Sequence, residues 1–339
     1  MRQRANRQVR LKSRPSGIPE PEHFEIVEAS VPDLSDGQVL VRNIYLSVDP
    51  AMRGWVGAVA NYSEPVALGA VMRSLAVGRV EESRHDDFHP GDYVTGMFGW
   101  QDYAAVDGKA IQRKVIATGL PISTSLGVLG VNGLTAYFAL LDIGRPKPGE
   151  TVVVSTAAGA VGSCVGQIAR IKGCRSVGIA GGPDKVRICR EEFRCDSAVD
   201  YKADDFESAL DAACPRGVDV YFDNTAGPVS DSVLRRLNVG ARVVICGTAS
   251  IASWDPIPQG PRVERHLLVK RARMQGFLIF DYAQRFPEAM LELESWVRSG
   301  QIRYREDILE GIEQAPGSIA GLYRGENLGK RLIRIASER

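Results

Sequence analysis

Apolar and polar residues alternate in short runs over the first 125 or so positions of the chain. Residues 38–44 alternate as a half-buried strand does. Two further short runs, 77–81 and 92–97, are separated by the turn-forming sequence His-Pro-Gly-Asp at 89–92. Because no long helical period interrupts these runs, they predict an all-β, barrel-like domain.

The pattern changes from about Leu126 onwards. Residues 128–143 have helical apolar spacing that stops at Gly144. The run Thr-Val-Val-Val-Ser at 151–155 is typical of a strand buried on both faces of a parallel sheet. A helix from near Ser163 to Lys172 is predicted next, followed by strands at 176–180, 218–222 and 242–246. This alternation predicts βαβ units and a doubly wound parallel sheet.

Length and composition fit two soluble domains. The chain has 339 residues, 44% of them hydrophobic and 24% charged, which is the balance of a globular protein. Strand-like runs at 304–309 and 331–335 could complete either domain. A formal net charge of +1 gives no reason to expect binding to nucleic acid or an anionic membrane. No apolar run approaches the roughly 20 residues that span a bilayer, so the cytoplasm is the expected location.

The basic N-terminal stretch, residues 1–14, is interpreted as a solvated lead into the first strand, with a targeting role as the alternative. The six cysteines all lie at or beyond residue 164 and form no CxxC pair, so we expect reduced thiols. His85 and His89 are followed directly by Pro90-Gly91 and have acidic residues between them. We therefore expect an exposed loop there and not a zinc site.

A glycine-rich loop follows the predicted strand at 151–155. Its pattern is Ala157-x-Gly159-x-x-Gly162, a G-x-G-x-x-G variant with Ala first. Gly159 would let the backbone approach a pyrophosphate, and Gly162 would let the helix pack close to the strand. The N–H groups at the helix start would hold the phosphates. The alternative is a tight strand–helix turn without a ligand.

The residues after the next strand bear on which dinucleotide binds. An enzyme that uses NAD usually has Asp or Glu about 20 residues beyond the loop, bonded to the ribose 2′-hydroxyl. Here Gly181 and Gly182 occupy the strand tip, leaving room for a 2′-phosphate, and Lys185 adds a positive charge. Asp184 is the one nearby carboxylate, and we expect it to cap the following helix. The sequence favours NADPH over NADH.

Several motifs together resemble one family. They are 45–54 (YLSVDPAMRG), 133–138 (GLTAYF), 157–163 (AAGAVGS), 222–224 (FDN) and 325–330 (GENLGK). The chain resembles the zinc-independent leukotriene/prostaglandin reductase branch of the medium-chain dehydrogenases/reductases, which includes curcumin and alkenal double-bond reductases. The resemblance implies a Rossmann domain at 128–299 and a GroES-like β-barrel domain made of 1–127 with 300–339. It also implies a homodimer. It implies no metal, because residues 45–54 stand where zinc-dependent relatives have a Cys ligand.

The resemblance also implies which residues bind NADPH. Lys185 and Tyr201 look like the pair that contacts the 2′-phosphate. The ribose and nicotinamide would meet Asn224, the Cys246-Gly247 turn, a strand at Phe277-Leu278-Ile279, and Asn327. Phe277 and Ile279 could equally be core residues. The pyrophosphate would be held by the loop, which comprises Ala158, Gly159, Ala160, Val161 and Gly162.

One departure concerns the catalytic donor. The family commonly has a tyrosine shortly after the Cys-Gly turn that bonds the substrate carbonyl, but Ala252 or a neighbour stands there in this chain. Tyr62 and Tyr282 are the candidate substitutes, with Ser250 or Ser253 as weaker ones. Trp55, Met72 and Trp254 could line the cleft or be plain packing.

The expected reaction is NADPH-dependent reduction of the carbon–carbon double bond of an α,β-unsaturated ketone or aldehyde. Hydride would go to the β-carbon of this small-molecule substrate. A quinone oxidoreductase is the alternative among enzymes. An NADPH-binding protein with little turnover, such as a crystallin-like or sensor protein, is the alternative from another class.

Overall fold

The structure is a computed structural model that describes residues 4–59, 61–116, 119–251, 254 and 256–338. Its strands are β1 (Ala5–Leu11), β2 (Phe24–Ser30), β3 (Gln38–Ser47), β4 (Ala76–Ser83), β5 (Tyr93–Gly96), β6 (Tyr103–Asp107), β7 (Ile111–Lys114), β8 (Thr151–Ser155), β9 (Arg175–Ala180), β10 (Ser197–Asp200), β11 (Val218–Asp223), β12 (Leu237–Ile245), β13 (Arg273–Gly276), β14 (Glu306–Glu310) and β15 (Lys330–Arg334). Its α-helices are α1 (Met52–Trp55), α2 (Val131–Phe138), α3 (Ala160–Ile171), α4 (Pro183–Glu191), α5 (Phe206–Ala213), α6 (Gly227–Leu234), α7 (Glu264–Lys270), α8 (Phe286–Arg298) and α9 (Ala315–Arg324). Of the described helices, none combines the length and the apolar character that crossing a membrane requires.

Two compact units divide the chain. One comprises Met1–Leu126 with Glu306–Arg339, and the other Gly127–Arg305. The first unit contains a sheet in the order β14-β15-β3-β4-β5-β7, with β6 also paired to β3. Its pairings are antiparallel except that of β14 with β15. The predicted fold class, a doubly wound parallel sheet with a mainly antiparallel β domain, is confirmed.

The two C-terminal strands belong to the first unit. Leu332 of β15 pairs with Ser47 of β3, antiparallel. Glu306 of β14 pairs with Lys330 of β15, parallel. Leu332 and Ile333 are fully buried. This pairing answers the question that the hydrophobic pattern alone left open.

Residues Ala5–Leu11 of the N-terminal stretch form a strand, so the prediction of a solvated lead was wrong for them. β1 pairs antiparallel with β2 over its whole length, and Val9 and Leu11 are fully buried. Arg7, two residues before Val9 in the same strand, is neutralised by Asp102, to which its Nε donates at 2.9 Å. Because that partner lies 95 residues away, the basic composition hid a half-buried strand.

The second unit is built on a six-stranded parallel sheet in the order β10-β9-β8-β11-β12-β13. Val152, Val153 and Val154 of β8 are fully buried, as the β-branched run predicted. The central strands β8 and β11 are neighbours, and their carboxyl ends lie at one edge of the sheet. In doubly wound folds this edge is where ligands bind.

The helix predicted at 128–143 is α-helical only over Val131–Phe138, and its last part has a different geometry. Helix α2 continues into a π-helical segment, Ala139–Gly144, and Arg145 then adopts φ 45°. The side chain of Arg242 closes this end: Nε donates to the Gly144 carbonyl at 2.8 Å, and a second nitrogen donates to the Arg145 carbonyl at 2.8 Å. Glu150 accepts from the same guanidinium at 3.0 Å. The otherwise unpaired carbonyls of the helix end are thereby satisfied.

Candidate dinucleotide-binding site

The loop after β8 leads directly into α3. Thr156 has a φ of 55°. Gly159 is the N-cap residue of the helix, and the Gly159 amide donates to the Thr156 carbonyl at 2.8 Å. The helix begins at Ala160, so the predicted start near Ser163 was three residues late. The first amides of a helix have no partner within it. Those of Ala160, Val161 and Gly162 therefore form an anion-binding end with the helix dipole behind them.

Gly162 is required by the close approach of α3 to the loop. A β-carbon there would overlap the Thr156 carbonyl oxygen and lie 2.8 Å from its carbonyl carbon and 3.0 Å from Cα of Ala157. At Gly159 a β-carbon would lie 3.2 Å from the Thr156 oxygen. The packing role predicted for Gly162 is confirmed, and the loop has the shape that a pyrophosphate cradle needs.

Two glycines follow β9, and they differ in the space around them: the Tyr201 ring lies close to Gly181, whereas the space beside Gly182 is empty of protein atoms. A β-carbon on Gly181 would lie 2.8 Å from the Tyr201 ring, whereas one on Gly182 would meet nothing within 4 Å. A β-carbon would thus have open space at Gly182 but not at Gly181, and the room for a 2′-phosphate at this tip stays a prediction. Tyr201 lies against Gly181, and Lys185 lies in the first turn of α4, so both predicted phosphate ligands flank this tip.

Two acidic residues near the tip form hydrogen bonds that the sequence did not predict. Asp184 was expected to cap α4, but Gly182 is the N-cap and no side chain caps it. The Asp184 carboxylate instead accepts from Arg187 at 3.3 Å. Asp200, which sequence reasoning missed, accepts from the amides of Gly182 at 2.8 Å and Lys202 at 2.9 Å. Both of these hydrogen bonds are to backbone amides, so Asp200 shapes the tip of β9.

The ends of β8, β11 and β12 are tied together at Asn224. Its amide N–H donates to Ser155 Oγ at 2.8 Å, and its Nδ2 donates to the Ser155 carbonyl at 2.8 Å. The Gly247 backbone packs on it, since a β-carbon there would lie 2.9 Å from the Asn224 carbonyl oxygen. Loss of hydration and the Asp223 charge raise the pKa of the neighbouring Cys246 to about 12. That thiol therefore stays protonated.

The predicted strand at Phe277-Leu278-Ile279 was wrong. β13 ends at Gly276, and a 3₁₀ helix starts at Ile279. The Phe277 amide still donates to the Ile245 carbonyl at 3.2 Å, which keeps it beside the end of β12. Ile279 is buried, whereas Leu278 is 38% exposed. Asn327 lies in the first unit, where its Nδ2 donates to the Gly329 carbonyl at 2.9 Å.

Known proteins resemble the chain over almost its whole length. Residues 7–114 match the family model of the N-terminal domain of oxidoreductases, and residues 160–295 that of zinc-binding dehydrogenases. The NADPH-dependent curcumin reductase of Escherichia coli is 46% identical over 338 residues, 98% of each chain. Prostaglandin reductase 1 of Rattus norvegicus is 40% identical over 330 residues, 96% of this chain and 97% of that one. The crystal structure of CurA from Vibrio vulnificus with NADPH superposes with a TM-score of 0.93 at 42% identity, covering 98% and 99% of the two chains.

The chain belongs to the medium-chain dehydrogenases/reductases, in the branch of NADPH-dependent curcumin, alkenal and prostaglandin reductases. The family model at 160–295 carries zinc in its description. In this medium-chain reductase, no group of three or more His, Cys, Asp or Glu among the described residues could hold a metal. His85 packs on Phe88 with ring centroids 5.1 Å apart, and Nδ1 of His89 lies 3.9 Å from Asp92.

The candidate donors of the reductase differ in what their hydroxyls do. Tyr282, in the second unit, packs against the rings of Phe138 and Phe277, with ring centroids 5.0 and 5.1 Å apart and the rings tilted by 30° and 35°. Burial, together with the Asp142 carboxylate, raises the pKa of Tyr282, so it remains a hydrogen-bond donor at neutral pH. Tyr62 lies in the first unit and is 48% exposed.

Ser250 directs its hydroxyl to backbone, donating to the carbonyls of Thr225 at 2.8 Å and Ala226 at 2.9 Å. Ala252 and Ser253 lie outside the described residues. Of the three apolar residues considered for the cleft, Trp55 and Met72 are buried in the core of the first unit, and Trp254 is 60% exposed.

Sequence reasoning passed over Asp223. It is 2% exposed and accepts hydrogen bonds from the amides of Thr225 at 2.8 Å and Ala226 at 2.9 Å, from the Tyr221 hydroxyl at 3.1 Å, and from Ser230. The available signal was an acidic residue at the very end of a buried apolar strand. The family motif at 222–224 contains Asp223, but the resemblance implied a role only for Asn224.

Proposed function

We propose that this medium-chain reductase uses NADPH to reduce the carbon–carbon double bond of α,β-unsaturated ketones and aldehydes. The observation that carries the proposal is the cradle formed by β8, its glycine loop and α3, with Lys185 and Tyr201 flanking the open Gly182. It stands in a chain similar over its whole length to curcumin and prostaglandin reductases.

The residues at the sheet edge fit the parts of NADPH. Ala158 to Gly162 would hold the pyrophosphate on the amides at the start of α3. Lys185 and Tyr201 would hold the 2′-phosphate beside Gly182. Facing the ribose and nicotinamide we place, as a proposal, Asn224, Cys246, Gly247, Phe277, Leu278 and Ile279. Asn327, which lies in the first unit, stays a prediction from the family resemblance.

NADPH, when bound, supplies a hydride for the β-carbon of the substrate. The protein's task is then to stabilise the negative charge that develops on the carbonyl oxygen, which one or two aimed donors can do. Tyr282 is the donor we favour, because its ring is held by contacts with two other aromatic rings, those of Phe138 and Phe277. Tyr62 is the second candidate. Ser250 is the weakest, because its hydrogen is directed to the Thr225 and Ala226 carbonyls.

The test is oxidation of NADPH by the purified full chain with an enone, an enal and a quinone in parallel. We expect turnover on the enone and enal, with mass spectrometry showing a product two hydrogens heavier whose carbonyl is intact. Faster reduction of the quinone would favour a quinone oxidoreductase. Tight NADPH binding without reduction of any of the three would favour a binding protein with little turnover.

A further inference from the structure

Ala226 adopts a backbone conformation that belongs to glycine. Its φ is 57° and its ψ is −166°, in a region that residues with a β-carbon avoid because of steric strain. Such strain persists only where the surrounding structure determines the backbone more strongly than the residue does. The residue lies three positions after the end of β11, between Asn224 and the start of α6.

The inner side of this turn is held by the Asp223 carboxylate. One of its oxygens, Oδ1, accepts from the amides of Thr225 at 2.8 Å and Ala226 at 2.9 Å. The other accepts from the Ser230 hydroxyl. Asp223 is itself buried, so it is a fixed acceptor that draws both turn amides inward.

The outer side of the turn is held by Ser250. Its amide donates to the Thr225 carbonyl at 2.9 Å, and its hydroxyl reaches the Thr225 and Ala226 carbonyls at 2.8 and 2.9 Å. Gly227, with φ 64°, fits beneath it, since a β-carbon there would lie 2.5 Å from Ser250 Oγ. Asp223 therefore binds the N–H groups of the turn while Ser250 binds its carbonyls.

The clamped turn is continuous with the proposed nicotinamide end of the NADPH site. Asn224 precedes it and is bonded to Ser155 at the end of β8. The amides of Cys246 and Gly247 donate to the Asp223 carbonyl at 2.8 and 3.1 Å. A shift of the turn would therefore move groups that follow three neighbouring strands, β8, β11 and β12.

We infer that Asp223 and Ser250 are positioning residues, which hold the Thr225–Ala226–Gly227 turn in its strained form. The turn in this form aligns Asn224 and Gly247 with the nicotinamide half of NADPH. The inference rests on the proposed NADPH site, and it gives Ser250 a role other than donor to the substrate. The adenosine half would lie near Lys185 and Tyr201, beside the end of β9, which β8 separates from β11 in the sheet.

The first test uses Ser250→Ala, with Ser299→Ala as its matched control. Ser299 also donates its hydroxyl to a backbone carbonyl, that of Ser295 at 2.8 Å, at the exposed C-terminal end of α8 in the same unit. Fluorescence titration would measure the Kd of NADPH and of 2′,5′-ADP, which lacks the nicotinamide half. Loss of one hydrogen bond predicts roughly fivefold weaker NADPH binding, with 2′,5′-ADP unchanged and the control unchanged for both ligands.

Two results of that titration would overturn the inference. NADPH binding by Ser250→Ala at the wild-type affinity would mean that the hydroxyl positions nothing. An equal loss for NADPH and 2′,5′-ADP would mean a general disturbance of the unit. Neither measurement requires turnover, so failure of the proposed enone reduction would be seen separately in the rate assay.

The second test uses Ala226→Gly, which removes the strain and leaves the hydrogen-bonding groups of the clamp in place. We expect the Tm of the free protein to rise, because relief of the steric strain outweighs the extra backbone entropy that glycine loses on folding. We expect NADPH to bind several-fold more weakly, because the turn is freer to move. A higher Tm with unchanged NADPH affinity would show that the strain has no positioning role. An unchanged or lower Tm would show that the strain is absent and would equally refute the inference.

Discussion

Replacing Gly162 by alanine tests the closest backbone approach in the proposed cofactor loop. The new β-carbon would lie 2.8 Å from the Thr156 carbonyl carbon and 3.0 Å from Cα of Ala157, besides overlapping the Thr156 oxygen. All three atoms are backbone, so no side-chain rotation relieves the overlap, and α3 must move away from the loop. Overpacking of this kind costs about 1–3 kcal/mol, or roughly a 5- to 150-fold shift of the folding equilibrium.

The assay for Gly162→Ala is thermal unfolding without ligand, followed by NADPH titration. For a unit of this size the cost corresponds to a Tm about 2–4 °C lower for each kcal/mol. NADPH affinity should fall as well, because the amides that begin α3 move with the helix. Gly260→Ala is the control, since a β-carbon there meets only Asp231 Oδ2, at 3.7 Å. If Gly162→Ala matched Gly260→Ala in both Tm and Kd, the steric argument would fail.

Three further predictions concern individual side chains. Lys185→Ala should weaken NADPH binding by roughly 10- to 100-fold, the value of a charged hydrogen bond. NADH binding, titrated in parallel, should barely change. An equal loss of affinity for NADPH and NADH would show that Lys185 does not contact the 2′-phosphate. Tyr282→Phe should lower kcat on an enone about 100-fold or more with NADPH Kd unchanged, while a loss confined to Tyr62→Phe would transfer the donor role to Tyr62. Burial raises the pKa of Glu306, although Ser123 donates to it at 2.8 Å, so the folded state binds this proton more tightly than the unfolded state. The stability that the protonated Glu306 contributes is present at acid pH and is lost as pH rises from the ordinary pKa of 4.5 through the raised pKa. Glu306→Gln should therefore be more stable than wild type at neutral pH and equally stable below pH ~4. Urea unfolding across that pH range measures the difference.

The parts of the second unit that sequence predicted well depend on short-range rules. The run at 151–155 is a strand with the predicted bounds, because three adjacent valines are fully buried in the middle of a parallel sheet. The Gly162 requirement was also predictable, since it arises from the local geometry of the strand–loop–helix unit. Both features are fixed by residues within about ten positions of one another.

The features that sequence reasoning missed depend on distant partners. Arg7 is accommodated in β1 by Asp102, and the space above Gly181 is filled by Tyr201, twenty residues later. The hydroxyl of Ser250 is directed to the Thr225 and Ala226 carbonyls by the pairing of segments that follow two different strands. None of these contacts produces a periodic pattern in the sequence. Composition and spacing could therefore identify the residues but could not predict their roles.

The distribution of left-handed residues connects these observations. Among the described residues other than glycine, φ is positive at Arg145, Thr156, Arg194, Ala226 and Arg271. Arg145, Arg194 and Arg271 follow helices, where this conformation is an ordinary way to end a helix. Thr156 and Ala226 instead follow β8 and β11, the neighbouring central strands of the parallel sheet. Since such strain needs a surrounding structure that enforces it, its presence after these two strands supports a preorganised ligand site at their carboxyl ends.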